Sequence, residues 1–333
     1  MPNILVATLG TSPGVITEAM DLLIEQGCSP DGVFLLKTQD DRVNQSYNLL
    51  LEHIPSYYEK NWINPVDIEK YGDDIDTPEA VKEFMQKACQ ILKSYRKKGN
   101  KCYVCIAGGR KTMSALLALA VQFYGAERLF HIWAPDWIEK LGEIQKIRRP
   151  LDEESIENLH PNKNKRIREE DRPKIVDLPF LGIFPLLPKI VAALNGEVSD
   201  SDIKTMLISN GLMDEGGKAT DFGKHLKEIF MSVERLPPAS DKECIIKISD
   251  HNYKDRIKDQ AQRLKRKFGF IKEIRSIEWG QGETRVEAVL PDKLNVMWTE
   301  GRGVRLGLQL TTTATTQGEL EVARKEVEEY IKE

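Results

Sequence analysis

Short apolar runs that end in glycine, each followed by a stretch with helical spacing, alternate through the first third of the chain. Asn3-Ile-Leu-Val-Ala-Thr-Leu reads as a strand, Gly10-Thr11-Ser12-Pro13-Gly14 breaks it, and residues 15–20 resume with helical periodicity. Ser12 before Pro13 predicts an N-cap with proline at the first helical position, so that the turn gathers free backbone N–H groups and a hydroxyl. Residues 32–37 form a second strand ending in Thr38-Gln39-Asp40-Asp41-Arg42, and 43–54 the next helix. A third strand is expected within 63–71, interrupted by Pro65. Thr77-Pro78-Glu79 opens an amphipathic helix through Val81, Phe84, Met85, Ala88, Ile91 and Leu92 to Tyr95. Cys102-Tyr-Val-Cys-Ile-Ala then repeats the opening design: an apolar strand, Gly108-Gly109, and a helix through Leu116, Leu117, Ala120 and Val121. With a fifth strand at 128–133, the alternation predicts an α/β fold, a doubly wound parallel sheet with helices on both faces, over residues 1–150.

The two glycine turns hold the candidate chemistry. Arg110 and Lys111 open the helix after the second turn, where cations oppose the positive end of the helix dipole; a bound anion is the simplest compensation. If the Cys102 strand lies beside the first strand, both turns face one crevice at the reversal of the sheet, where such folds bind ligands. Neither turn carries G-x-G-x-x-G or G-x-x-x-x-G-K-[ST], so phosphates are expected there without either standard signature.

Beyond residue 150 the pattern changes. Residues 151–175 are polar and read as a charged linker or insertion; Asn162-Lys-Asn-Lys-Arg-Ile-Arg168 is a solvated charge run, with polyanion contact the alternative. Over 176–238, Ser199-Asp-Ser-Asp-Ile-Lys-Thr-Met-Leu-Ile208, Asn210-Gly211 and Thr220-Asp-Phe-Gly-Lys-His-Leu226 resemble a winged helix-turn-helix. Its candidate recognition helix opens with Asp200 and Asp202 and offers only Lys204 to phosphates, which favours a dimerisation or scaffold role over DNA binding. Residues 239–333 read as a small α+β module: strands at 244–248, 274–279, 284–290, 294–298 and 304–310, a helix at 253–268 and a charged helix from about Gly318. The first of these helices carries Lys254, Arg256, Lys258, Arg263, Lys265, Arg266 and Lys267, either a solvated face or a lid over an anion.

Composition narrows the function classes. The chain has 333 residues, 41% of them hydrophobic, enough for two or three domains, and a net charge of −4 gives no global basic field. Five cysteines without a secretory signal, and no apolar run long enough to span a bilayer, lead to an expectation of a cytoplasmic protein with no membrane contact. Cys102 and Cys105 fall on opposite faces of a strand and have no partner pair, so no metal and no cofactor is expected.

Leu-Gly-Thr-Ser-Pro-Gly-Val-Ile-Thr-Glu, about a hundred residues before Ala-Gly-Gly-Arg-Lys-Thr-Met, resembles the CRISPR-associated Rossmann-fold (CARF) family, and the likeness covers residues 1–137. It implies a homodimer that binds cyclic oligoadenylate and, in ring-nuclease members, cleaves the ring. By that likeness Gly10, Thr11, Ser12, Gly108, Gly109, Arg110, Lys111 and Thr112 face the ligand; Gln39 and Asp40 join them from position alone. A HEPN ribonuclease would place an arginine about five residues before a histidine, and none precedes His53, His131, His160, His225 or His251 at that distance. Two readings stay open. One is a ring nuclease that linearises its ligand, cyclic tetra-adenylate, by metal-independent attack of a ribose 2′-hydroxyl, with Ser12, Lys111 and Arg110 catalytic. The other is an oligoadenylate sensor or transcriptional regulator that does not cleave.

Overall fold

The computed structural model describes residues 2–59, 62–68, 74–97, 99–197, 200–240, 243–249, 253–278, 283–300 and 303–332. Tyr71, Ser199, His251 and Trp279, named above, lie outside them. The chain divides into Met1–Phe230 and Met231–Glu333.

The first unit opens with β1 (Asn3–Thr8), α1 (Gly14–Glu25), β2 (Gly32–Lys37), α2 (Asp41–Tyr58), β3 (Trp62–Asp67), α3 (Pro78–Lys97), β4 (Lys101–Cys105), α4 (Lys111–Tyr124) and β5 (Arg128–Trp133). It continues with α5 (Asp136–Leu141), α6 (Glu153–Leu159), β6 (Lys174–Asp177), α7 (Leu187–Leu194), α8 (Ser201–Ser209) and α9 (Asp221–Arg235), within which the units part. The sheet order is β3-β2-β1-β4-β5-β6, parallel except for β6, so the winding reverses between β1 and β4. β1 and β2 are buried on both faces, which explains their unbroken apolar runs. Leu5, Ala7, Val33 and Leu35 pack against α1 and α2 through Met20, Leu23, Leu50 and Ile54, and Phe34 meets Tyr95 of α3 edge-on at 5.4 Å. Pro65 is tolerated because β3 is an edge strand, where the missing N–H breaks no second ladder.

Residues 151–175, expected to be a charged linker or insertion, carry regular structure. α6 packs on α1, β6 adds an antiparallel strand beside β5, and the intervening residues are pinned by buried polar pairs that a charge count does not reveal. Asp21 of α1 accepts from His160 Nδ1 at 2.7 Å, from Tyr58 Oη at 2.8 Å and from Lys163 Nζ at 2.8 Å. His160 Nε2 lies 2.8 Å from His53 Nε2 of α2, and Tyr57 stacks on His160 with ring centroids 3.9 Å apart. The basic run beside this anchor is largely neutralised: Lys163 by Asp21, Arg166 by Glu157 at 3.4 Å and Arg168 by Glu170 at 3.5 Å.

Three helices, α7 to α9, with one antiparallel bridge between Met213 and Ala219, complete the first unit. Asp200, at the start of the candidate recognition helix, caps α8 by accepting from the N–H groups of Asp202 and Ile203, and pairs with Lys189 at 3.1 Å. The second unit holds β7 (Ile245–Lys247), α10 (Lys254–Lys267), β8 (Ile271–Ser276), β9 (Arg285–Val289), β10 (Lys293–Glu300), β11 (Val304–Thr312) and α11 (Gln317–Lys332). Its sheet order is β7-β8-β11-β10-β9, parallel only between β7 and β8, with its own core of Leu264, Ile274, Val296, Leu308, Leu310 and Val327. Among the described residues no helix is long and apolar enough to cross a membrane.

The histidine anchor makes stability pH-dependent. Burial, reinforced by the neighbouring His160, pushes His53 down to about 4, against the partial opposition of Asp21. An unfolded histidine titrates near 6.5, so between there and about pH 4 the unfolded chain holds a proton that the folded chain lacks, and stability falls as pH drops. Burial alone would raise the Asp21 carboxyl; its bonds to His160, Lys163 and Tyr58 hold it below the usual range, so its contribution is lost at still lower pH. Thermal unfolding followed by circular dichroism should show the melting temperature falling by several degrees from pH 7 to 4.5, and His53→Gln should flatten that slope.

Candidate functional site at the sheet reversal

The turns after β1 and β4 meet backbone to backbone. A Cβ on Gly10 would lie 2.9 Å from the Gly109 nitrogen, and one on Gly108 would lie 2.3 Å from the Thr8 carbonyl oxygen. Gly109 adopts a φ of +75°, a conformation that side chains with a Cβ rarely adopt. Thr8, which the sequence did not mark, locks the contact by donating its hydroxyl to the Gly108 carbonyl, and Ser114 of α4 donates to Ile106 O at 2.8 Å. Gly10, Thr11, Ser12, Gly108, Gly109, Arg110, Lys111 and Thr112 therefore belong to two turns in contact.

Two details of the first turn differ from expectation. Helix α1 starts at Gly14 with Pro13 as the cap residue, and no side chain caps it. The Gly14 N–H is also not free: the 142–144 segment lies across this helix end, Gly142 accepting from Gly14 N at 3.2 Å and Ile144 N donating to Thr11 O at 2.9 Å. Gly14 and Gly142 allow this approach because a Cβ on Gly14 would sit 2.8 Å from the Gly142 Cα. The Ser12 hydroxyl, relieved of capping, is buried with no hydrogen-bond partner among the described residues. A buried hydroxyl left unpaired costs about 1–3 kcal/mol unless something supplies a partner.

At the second turn, Arg110 is the cap residue of α4 and pairs with Asp74 at 3.5 Å, so part of its charge is compensated within the protein. Lys111, at the first helical position, makes no ion pair among the described residues and is exposed. Thr112 is exposed on the same turn. One turn into α1, Glu18 is 2% exposed, and burial, then Glu139 and Asp21, raise it to about 8. It is neutral at pH 7 and adds no charge under a site suited to an anion. Burial also pushes the Cys102 and Cys105 thiols of β4 up to about 12.

On the other flank, Leu9 N donates to Leu36 O at 2.9 Å and ties the first turn to the end of β2. Asp40 there caps α2, its Oδ1 accepting from Arg42 N at 2.8 Å and Val43 N at 3.2 Å, which accounts for its place in the sequence. Gln39 is half-buried, and its side-chain amide has no partner among the described residues. An apolar cavity of about 660 Å³ between α3, α4 and α7 to α9, lined by Met85, Leu116, Phe123, Ile190, Leu207 and Phe230, shares no residue with the turns.

Fold and turns together define an open α/β domain whose chemistry-bearing loops meet where the strand order reverses. The chain belongs to the family described as CRISPR-associated protein NE0113, whose model matches residues 12–211. It is 31% identical over 160 residues to a CRISPR system ring nuclease of Saccharolobus solfataricus, an alignment covering 46% of this chain and 83% of that protein. Among solved structures it is similar to Enterococcus italicus Csm6 bound to cyclic hexa-2′-fluoro-hexa-dAMP, at 14% identity and a TM-score of 0.38, covering 79% of this chain and 53% of that one. A UDP-GlcNAc 2-epimerase from Neisseria meningitidis aligns at 13% identity and a TM-score of 0.26, over 84% of this chain and 66% of the epimerase. Both scores are too low to bear on fold or function.

The glycine contact is testable by itself. Gly108→Ala forces a Cβ into the Thr8 carbonyl, which cannot swing away as a flexible side chain can, and should cost about 1–3 kcal/mol in urea unfolding. Gly27→Ala, with open space around its Cβ but also a positive φ, separates this clash from conformational strain.

Proposed function

We propose that the chain is a ring nuclease: it binds a cyclic oligoadenylate at the crevice between the β1 and β4 turns and linearises it. One juxtaposition carries this reading, the contact of Gly10 on Gly109 that joins the turn of the unpartnered Ser12 hydroxyl to the turn of the unpaired Lys111 cation. The similarity to a relative named as a ring nuclease supports it. RNA carries its own nucleophile, so the protein needs only to align and stabilise. The ribose 2′-oxygen attacks the adjacent phosphorus, giving up its proton to solvent; the bond to the 5′-oxygen breaks, and that oxygen leaves as a hydroxyl after taking a proton. The products are a 2′,3′-cyclic phosphate and a free 5′ end. Ser12 positions the ribose–phosphate by donating its hydroxyl, while Lys111, helped by Arg110, stabilises charge on the phosphate. No metal enters these steps.

A ring of identical nucleotides has rotational symmetry, and a two-fold dimer offers the same crevice twice, so the working unit is a homodimer with each protomer gripping half the ligand. The helical region 176–238 serves as scaffold or dimerisation element in this reading, since Asp200 is engaged in capping and pairing.

Incubation with cyclic tetra-adenylate and cyclic hexa-adenylate, followed by mass spectrometry, should give linear product ending in 2′,3′-cyclic phosphate, with cyclic tetra-adenylate the preferred substrate and chelator without effect. Intact ligand accompanied by a raised melting temperature would instead identify a sensor. Lys111→Ala should lower the single-turnover rate by on the order of a hundredfold with a smaller loss of binding, and Ser12→Ala should slow cleavage as well. Sedimentation should show a dimer binding one ring; a monomer binding one ring per chain at full affinity would refute the assembly.

A further inference from the structure

The mechanism above uses the turns after β1 and β4 and leaves the third neighbouring turn, after β2, without a task. That turn is held by buried charge. Lys37, the last residue of β2, is 1% exposed and pairs with Asp67, the last residue of β3 and itself fully buried, at 2.7 Å. The same ammonium donates to Asn44 Oδ1 at 2.6 Å, which fixes the orientation of the Asn44 amide, because its other end must then be the donor. That donor, Nδ2, reaches the backbone carbonyl of Gln39 at 3.0 Å. A continuous chain therefore runs from the end of β3 through Lys37 and Asn44 to the backbone of Gln39. On the next residue the Asp40 carboxylate is occupied in capping α2. A buried ion pair is an expensive way to shape a loop, since each charge loses its hydration, and an apolar pair of similar volume is often no less stable.

Resting on the proposed binding of an adenine-containing ring, we propose that Gln39 is a specificity-determining residue: its side-chain amide reads the edge of an adenine, and the Asp67–Lys37–Asn44 chain positions it. A carboxamide matches adenine in two bonds at once, donating N–H to N7 and accepting from the N6 amino group. Gln39 is suited to this by what it lacks. Its amide has no partner among the described residues, whereas the carboxylate beside it is engaged. The turn adjoins the candidate site because Leu9, next to Gly10, is hydrogen-bonded to Leu36 of β2. A rigid backbone at Gln39 restricts where the amide can point, and a site built to pair with a polar edge rejects an analogue that lacks it.

The test compares two probes, cyclic tetra-adenylate and the same ring with purine riboside in place of adenosine, which lacks the N6 amino group but keeps charge and size. Titration calorimetry on the natural protein should show cyclic tetra-adenylate binding at least about tenfold more tightly. Gln39→Ala should abolish that ratio, weakening the adenine ring by both bonds and the purine ring by the N7 bond alone, and Asn44→Ala should reduce it while leaving the protein folded by circular dichroism. A ratio unchanged in Gln39→Ala overturns the assignment even if Asn44→Ala fails to fold. Natural protein that binds both rings equally also overturns it and leaves the ring-nuclease reading standing, whereas absence of binding to either ring overturns both.

Discussion

Backbone contact between the turns after β1 and β4 is the constraint on which the site depends. With a Cβ on Gly108 placed 2.3 Å from the Thr8 carbonyl, no other residue fits without moving one strand end. The same closeness puts two helix starts, those of α1 and α4, at one end of the sheet. The α1 terminus donates its Gly14 N–H to the 142–144 segment, and the Ser12 hydroxyl in the same turn is buried with no hydrogen-bond partner among the described residues. At the start of α4, Arg110 pairs with Asp74, whereas Lys111 has no ion pair among the described residues.

Negative charge is managed around this point with equal care. Glu18 and Asp21 share α1, yet they are handled in opposite ways. Asp21 is surrounded by His160, Lys163 and Tyr58 and stays ionised, while Glu18, buried without a cation and repelled by its acidic neighbours, stays protonated at pH 7. A third carboxyl group, Asp67, is fully buried and lies 2.7 Å from the Lys37 ammonium. Of these three buried acids, Asp21 and Asp67 each lie against a cation and Glu18 is held neutral.

The strand and helix series of the first unit was legible because parallel strands buried on both faces read as continuous apolar runs, as Ile4 to Ala7 and Val33 to Leu36 do. The adjacency of β1 and β4 entered the sequence reading only as a condition, and the strand order meets it. The segment 151–175 was not legible, for a physical reason: its fixation comes from His160, Lys163 and Asn162 pairing with partners far along the chain or across a loop, and polar pairing has no periodicity. The capping expectation at Ser12 failed because Gly142, remote in sequence, competes for the same helix end. At Asp40 the reverse holds. Position suggested a ligand contact, but an acid one residue before Asp41–Tyr58 is also the commonest kind of helix cap, and its carboxylate is used that way. The burial of Lys37 against Asp67 was not read from the sequence, because its partner ends a different strand.

Every residue assigned to the site falls between Gly10 and Thr112, and the family match ends at residue 211, short of the second unit. That unit has its own apolar core, and the exposed strands of its sheet carry ion pairs such as Lys247 with Glu273 at 3.0 Å and Arg285 with Glu287 at 2.7 Å. Surface pairs of this kind contribute little to stability and offer no unpaired field comparable to that of Lys111. On the basic helix α10, Ile257, Ala261 and Leu264 face the core, Lys265 is half-buried and pairs with Glu243 at 2.8 Å, and Lys254, Arg256, Lys258 and Arg263 are exposed. All the residues on which the proposed ring chemistry rests lie within Met1–Phe230.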